Sequence, residues 1–377
     1  MICNIKKFFF AVDLGAISGR IIFGSLLNDS LSLKELSRFP IKYLTLQEKY
    51  YWDIYYLFEE IKKGLIKVSR QGIQIESVGI DAWGVDFIYI AKDGTLLNLP
   101  RSYREPYTNG ITTEYFSHIS RKKVYELTGI QIMNFNSLFQ LYAARKESSS
   151  ALESAESILF IPDVLNYLLS GEKICEYTIA STSQLLNPFT GKFEPELLSP
   201  IDIKPTVFPK IVMSGTVIGY LSKCIQRECD ISNEITIIAV AEHDTASAVV
   251  AVPAGNENFA FLSSGTSSLM GIETKNPINT EESYLMNFTN EGGAENTVRF
   301  LKNITGMWIL KQCRKEWEKF GKIYTYSEIA NLPDSVENFQ FYIDPDDDCF
   351  INPESMINSI KNYCIHKEKK CQNLLLN

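Results

Sequence analysis

The sequence is short of the residues that build metal centres. Only three histidines occur, His118, His243 and His366, and none belongs to an HExxH pair, which excludes a histidine-rich metal site. Eight cysteines stand at positions 3, 175, 224, 229, 313, 349, 364 and 371, and no two form a CxxC pair, which argues against zinc. Free thiols are the expectation for such a chain, with Cys349 and Cys364 as the one pair that could come close enough for a disulfide. There is no GxxxxGK[ST], so a P-loop is excluded, and no GxGxxG, so neither a Rossmann nor a protein-kinase glycine loop is present. Long apolar runs are missing too. Ile235–Ala241 and Ala246–Ala254 are too short to span a bilayer and are separated by Glu242, His243 and Asp244. The run Phe8–Val12 stops at Asp13 with no cleavage pattern after it, so a signal peptide is not expected. Basic residues are outnumbered, 37 Lys and Arg against 45 Asp and Glu, for a net charge of −8. That excludes a general nucleic-acid binder, though not a local nucleotide site. These absences lead us to expect a cytoplasmic protein.

What is present is ordinary globular material, 45% hydrophobic and 22% charged over 377 residues. At roughly 150 residues per domain the length suggests two or three domains with large cores. Phe8–Asp13 and the run IIFGSLL flank a short Gly/Ser turn and predict a hairpin. Ile54–Val68 carries Leu57, Ile61, Leu65 and Val68 at helical spacing. Ser77–Ile90 predicts a strand, a turn at Trp83–Gly84 and a second strand, and AKDGTLL adds an Asp-Gly turn. Val124–Leu127, Leu138–Arg145 and Asp163–Leu169 predict helices. Further on, Ile235–Val240 predicts a strand, AEHDTASAVVAV a turn into a helix, and Phe300–Trp317 another helix. Both halves repeat the theme of strand, small-residue turn and strand. The last stretch, HKEKKCQNLLLN, has no evident place in a core.

Four segments carry chemistry. Asp13 stands at a strand end before Gly15, Ala16, Ile17, Ser18, Gly19 and Arg20. A carboxylate there can hold hydrated Mg²⁺, and turn N–H groups with Arg20 can receive an anion. An ordinary hairpin turn uses the same residues. The loop Ser263–Ser268, with Gly265 and Thr266 inside it, allows close approach to phosphate oxygens, or is a plain polar loop. Glu242-His243-Asp244-Thr245 follows a strand. Asp244 can take a proton from a hydroxyl and His243 can bond a sugar, or Asp244 is only a helix cap. Asp81-Ala-Trp83-Gly84-Val-Asp86 offers carboxylates for sugar hydroxyls and an aromatic face for sugar C–H groups, or is a core tryptophan beside turn formers.

Taken together and in order, AVDLGAISGR, YYWDI, SVGIDAWGVDFIYIAKDGTLL, TGIQIMNFNSLFQLYA, FIPDVLNYLLSG, AEHDTASAV, FLSSGTSSLMG and GAENTVRFLKNITGMWIL resemble the FGGY-type carbohydrate kinases. GIDAWGVD and TGIQIMNFNSLFQL are most similar to members that act on L-rhamnulose rather than on glycerol or xylulose. The resemblance implies an α/β, actin/Hsp70/sugar-kinase-like (ribonuclease H-like) fold of two domains. It divides the chain into 1–250, with the sugar site and first phosphate loop, and 251–377, with the second phosphate loop. It implies ATP and Mg²⁺, with Asp244 as catalytic base and Gly84, His243, Thr245 and Asn303 as sugar contacts. Ala16–Arg20, Thr266 and Lys311 fall at nucleotide-contacting positions, and Asp13 at the metal-associated aspartate. Two positions depart from the family pattern: Ser267 stands where a Trp is usual, and Lys311 where a Gln is usual, with Gln312 one place late. The resemblance also implies roughly a hundred further residues, about one small domain's worth, including an adenosine-cradling glycine segment. The second domain is therefore expected to be incomplete, the tail after His366 resembling the product of a frameshift or early stop. A remnant that binds sugar without catalysis, and a kinase for another ketose such as L-fuculose, stand as alternatives.

Overall fold

The computed structural model describes residues 6–264, 268–304, 306–332, 342–345, 347–350 and 353–374. They divide into two compact units, 1–259 with 272–300, and 260–271 with 301–377.

The first unit is organised by a six-stranded sheet. Its centre is Lys7–Leu14, an apolar strand flanked on one side by Ser18–Leu27 in antiparallel register and on the other by Ser77–Ala82 in parallel. Ser30–Pro40 continues the hairpin outward, and Thr236–Ile238 and Val217–Tyr220 complete the far side. A parallel pair needs a crossover, and the helix Ile54–Ser69 supplies it. The helix starts where the Asp53 carboxylate accepts the Tyr56 N–H, an N-cap bond that satisfies an otherwise orphaned donor. Leu57, Ile61, Leu65 and Val68 share its buried face, as their spacing predicts, and pack with Phe10, Val12, Ile21, Val78 and Ile80 of the sheet. Gly64 lies on the same face. A Cβ there would sit 2.6 Å from Ile21 Cδ1 and 2.9 Å from Phe10 Cζ, so glycine lets helix and sheet close up.

A second core in this unit gathers helices Ile111–Tyr115, Arg121–Thr128 and Ser137–Lys146 around Phe139, Leu141, Ile158 and Phe160. Here the segment 77–90 departs from a simple strand-turn-strand. Phe87–Ile90 leaves the large sheet and pairs antiparallel with Ser157–Phe160. The turn at Trp83–Gly84 therefore switches the chain between two sheets.

In the second unit, the helix predicted over Phe300–Trp317 begins later. Val298–Ile304 is a strand that runs from the first unit into the second, and the helix is Gly306–Lys319. Only Ile309, Cys313 and Trp317 hold a true i, i+4 face, packed with Phe350 and Met356. The C-terminal stretch forms a helix, Met356–Leu374, and Ile357, Ile360 and Tyr363 join that small core. Cys349 and Cys364 are both thiols. No described helix is long and apolar enough to cross a membrane.

Gly64→Val should overpack the helix–sheet contact and cost about 1–3 kcal/mol. Urea unfolding checks this; an unchanged midpoint would mean that the contact has slack.

Candidate active site

The sheet register assembles the site. Asp13 faces Asp81 across the parallel pair and Arg20 across the antiparallel one. A bridge between Ala82 and His243, with the Ala82 N–H donated to the Glu242 carbonyl at 2.9 Å, brings a third chain segment to the same edge. Asp13, Asp81 and Asp244 thus collect beyond the carboxyl ends of parallel strands, where open α/β sheets place their ligands. Arg20 donates to Asp13 in an ion pair. Burial raises the Asp81 carboxyl well above the usual range, and the nearby Asp13 and Asp244 charges add to it. Burial also raises Asp244, against the His243 ring and the two Thr245 donors, which favour its charged form.

Asp244 opens the helix Asp244–Val250 and its side chain keeps 33% of its surface exposed. Its Oδ1 accepts the Thr245 N–H at 2.6 Å and the Thr245 hydroxyl at 3.2 Å, and lies 3.4 Å from His243 Nε2. Among the described residues, every hydrogen bond to this carboxylate falls on Oδ1. A reachable carboxylate with one oxygen fixed and the other free is the arrangement a general base requires.

Gly84 sits against Thr182, whose Oγ1 would be 3.0 Å from a Cβ at that position. The Asp86 N–H donates back to the Gly84 carbonyl at 2.9 Å, and Val85 between them has φ +68°, a strained setting for a β-branched residue. Three side chains hold it: Thr182 Oγ1 accepts the Val85 N–H, while Ser137 Oγ and Gln140 Nε2 donate to the Val85 carbonyl. Trp83 and Asp86 bond to each other. Both are buried, and the Asp86 carboxylate accepts from Trp52 Nε1 at 2.5 Å, Trp83 Nε1 at 3.0 Å, Gln140 Nε2 at 3.0 Å and the Tyr103 N–H at 3.3 Å. Burial pushes the Asp86 pKa up to about 6 against these bonds. The pair shapes the turn from behind.

The stretch Ala16–Arg20 divides in two. Ala16 and Ile17 are turn, whereas Ser18, Gly19 and Arg20 already belong to the strand. Residues 15–17 keep φ outside the left-handed region, so no alternating-hand nest forms there. Gly19 has a packing reason: a Cβ would meet the Phe39 ring at 2.4 Å. Asn303, on Val298–Ile304, and Lys311, on Gly306–Lys319, are half-buried residues of the second unit. Thr266 lies outside the described residues.

Several residues at the site carry no motif. Arg299 and Glu291 lie against the His243 ring, and Thr178 Oγ1 accepts the His243 N–H at 3.1 Å. A lone arginine within the apolar run Val298–Leu301 was the available signal, because a buried guanidinium demands partners. Behind the Glu242–Asp244 segment lies a buried carboxyl group of three, Asp163, Glu176 and Glu242. Glu176 accepts the N–H groups of Thr178, Ile179 and Glu242 and the hydroxyls of Thr178 and Ser214. Burial drives the Asp163 pKa up to about 8 and Glu242 well above its usual range, the nearby Asp163 charge adding to the rise at Glu242, and Asp163 Oδ2 and Glu242 Oε2 are both buried without a hydrogen-bond partner among the described residues.

The sequence matches the model of the FGGY family of carbohydrate kinases twice, its N-terminal domain over residues 8–251 and its C-terminal domain over 260–369. The chain belongs to this family. It is 51% identical to a rhamnulokinase of Bacteroides thetaiotaomicron over 359 residues, 95% of this chain and 73% of that protein. It is 41% identical to a rhamnulokinase of Lactiplantibacillus plantarum over 95% of this chain and 72% of that one. The fold is that of the sugar kinases. A gluconate kinase from Lactobacillus acidophilus superposes with a TM-score of 0.72 at 16% identity, covering 82% of this chain and 62% of its own. The chain thus spans less than two thirds of that solved structure.

The raised Asp163 carboxyl has a thermodynamic consequence. Asp163 binds its proton more tightly folded (about 8) than unfolded (about 3.9), so its contribution is complete at low pH and is lost as pH rises toward 8. Melting temperature should fall from pH 5 to pH 8.5. Asp163→Asn, which keeps the shape without a titrating proton, should flatten that fall. Parallel slopes for the two proteins would refute the raised Asp163 pKa.

Proposed function

We propose that this chain transfers the γ-phosphoryl group of ATP to the C1 hydroxyl of L-rhamnulose, giving ADP and L-rhamnulose 1-phosphate. The observation that carries the chemistry is Asp244, an accessible carboxylate raised by burial and held through one oxygen. The identity to two rhamnulokinases supports the choice of sugar.

In this reading Asp244 orients the C1 hydroxyl and takes its proton as the oxygen attacks phosphorus. Phosphoryl transfer asks the protein mainly for positioning and charge stabilisation, so a weak, well-placed base is adequate. His243, Thr245, Gly84 and Asn303 bind the sugar. A side chain at 84 would crowd Thr182, whose Oγ1 would lie 3.0 Å from its Cβ. Ala16, Ile17, Ser18, Gly19 and Arg20, with Thr266 and Lys311, serve the nucleotide. Residues 1–250 act as the sugar-binding domain with the first phosphate loop, and 251–377 as the domain carrying the second.

Asp13 would hold Mg²⁺. Among the described residues no group of three or more acidic, histidine or cysteine side chains forms a ready cage. That suits Mg²⁺ bound mostly by water and phosphate oxygens with one or two carboxylates. When bound it supplies charge neutralisation on the phosphates.

Asp244→Asn should lower kcat by about 10²–10⁴-fold while sparing L-rhamnulose affinity, because the shape stays and the base goes. Turnover near that of the wild type would falsify the base assignment. Burial places the acid limb of kcat/KM above that of an ordinary aspartate, and activity should be lost as pH falls through it. Coupled ADP release from the 377-residue chain, with L-rhamnulose and L-fuculose compared beside a sugar-free control, tests the substrate. Preference for L-fuculose refutes the sugar assignment, and no sugar-dependent release from folded protein refutes the activity of this chain.

A further inference from the structure

Among the described residues Arg299 is the largest charged side chain that is completely enclosed, and its hydrogen bonds converge on the site. Its Nε donates to the Gly292 carbonyl at 2.9 Å. One terminal nitrogen, Nη2, lies 3.0 Å from Glu291 Oε2 and 3.0 Å from His243 Nδ1. Guanidinium nitrogens only donate. Nη2 has two hydrogens, one for each neighbour, and His243 Nδ1 must therefore present a lone pair. A neutral ring with a bare Nδ1 carries its proton on Nε2, which stands 3.4 Å from Asp244 Oδ1.

We propose that Arg299, anchored by Glu291, is a positioning residue that fixes His243 as the Nε2–H tautomer, so that this proton holds Asp244 Oδ1 and leaves Oδ2 for the acceptor hydroxyl. The groups around the ring make this a real choice between two states. Glu291 Oε2 is 3.3 Å from Nδ1 and would accept a proton from it if Arg299 were absent. The ring would then turn a lone pair toward Asp244 Oδ1. Two acceptors would face each other, and the base would lose one of the contacts that fix it. Arg299 decides between these states because it donates to both acceptors at once. Thr178 secures the His243 backbone, so the ring cannot escape by moving the chain. The catalytic meaning of the tautomer rests on the base role proposed for Asp244; the tautomer itself rests on the heavy-atom geometry alone.

The test is a long-range ¹H–¹⁵N spectrum of the full chain labelled at histidine, at neutral pH. Three ring patterns are expected, and the one lost in His243→Gln belongs to His243. Wild type should show a bare Nδ1 and a protonated Nε2. Arg299→Met should reverse the pattern and lower kcat about ten- to a hundredfold, the range for losing one hydrogen bond to a charged group, with KM for ATP unchanged. Glu291→Gln, which keeps Arg299, should leave the wild-type pattern. A wild-type ring protonated on Nδ1 or on both nitrogens overturns the proposal, as does an Arg299→Met ring that stays protonated on Nε2. Should Arg299→Met not fold, the wild-type and Glu291→Gln spectra decide. A reversed pattern with unchanged kcat overturns the positioning role. Full turnover by Asp244→Asn instead removes the base reading and leaves the tautomer standing.

Discussion

Two aspartates face each other across paired strands, and much of the first unit follows from holding them there. Like charges in register on neighbouring strands destabilise a sheet. The Asp13–Asp81 pair is tolerated because each half is handled differently. Arg20, opposite Asp13 on the other side, supplies a cation in the same register. Burial raises the Asp81 carboxyl well above the usual range, which favours its neutral form and weakens the repulsion. A one-residue slip in either pairing would separate these groups and turn Val12 and Ile80 out of the core. Register, core and site are therefore one constraint, and the glycine-floored contact with the helix Ile54–Ser69 enforces it from below.

The same economy of charge runs deeper. Asp163, Glu176 and Glu242 are buried without a cation. They persist because backbone N–H groups, hydroxyls and the Asn166 amide take its place. Glu176 binds the N–H of Glu242, and its partner Thr178 binds the N–H of His243. The segment 242–243 is thus fastened through its backbone. Trp83 and Asp86 do a comparable job for Gly84: they look like ligand-binding residues in sequence, yet they stabilise a strained turn.

How much of this the sequence disclosed depends on range. The helix Ile54–Ser69 was legible because its cap and its apolar face are both local. The hairpin around Gly15 was legible for the same reason. Asp13, His243 and Asp244 could be found because they sit in short motifs at strand ends. The expectation of a helix from Phe300 fails over residues 300–304, because the strand Val298–Ile304 is set by partners far away in the chain, Arg299 just before them bonding Gly292, Glu291 and His243. Carboxyl pairs such as Asp163 with Glu242 leave no spacing signature, since 79 positions separate them in sequence and only folding sets their distance.

The charge around Asp244 bears on how an anionic nucleotide can be accepted. Arg20 is paired with Asp13 and Arg299 is buried against Glu291 and His243, so a phosphate chain that meets Arg20 meets a guanidinium whose charge is already shared with a carboxylate. Asp13 keeps part of its surface exposed, so a divalent cation held there through water would add the positive charge that Arg20, already shared with the carboxylate, supplies only in part.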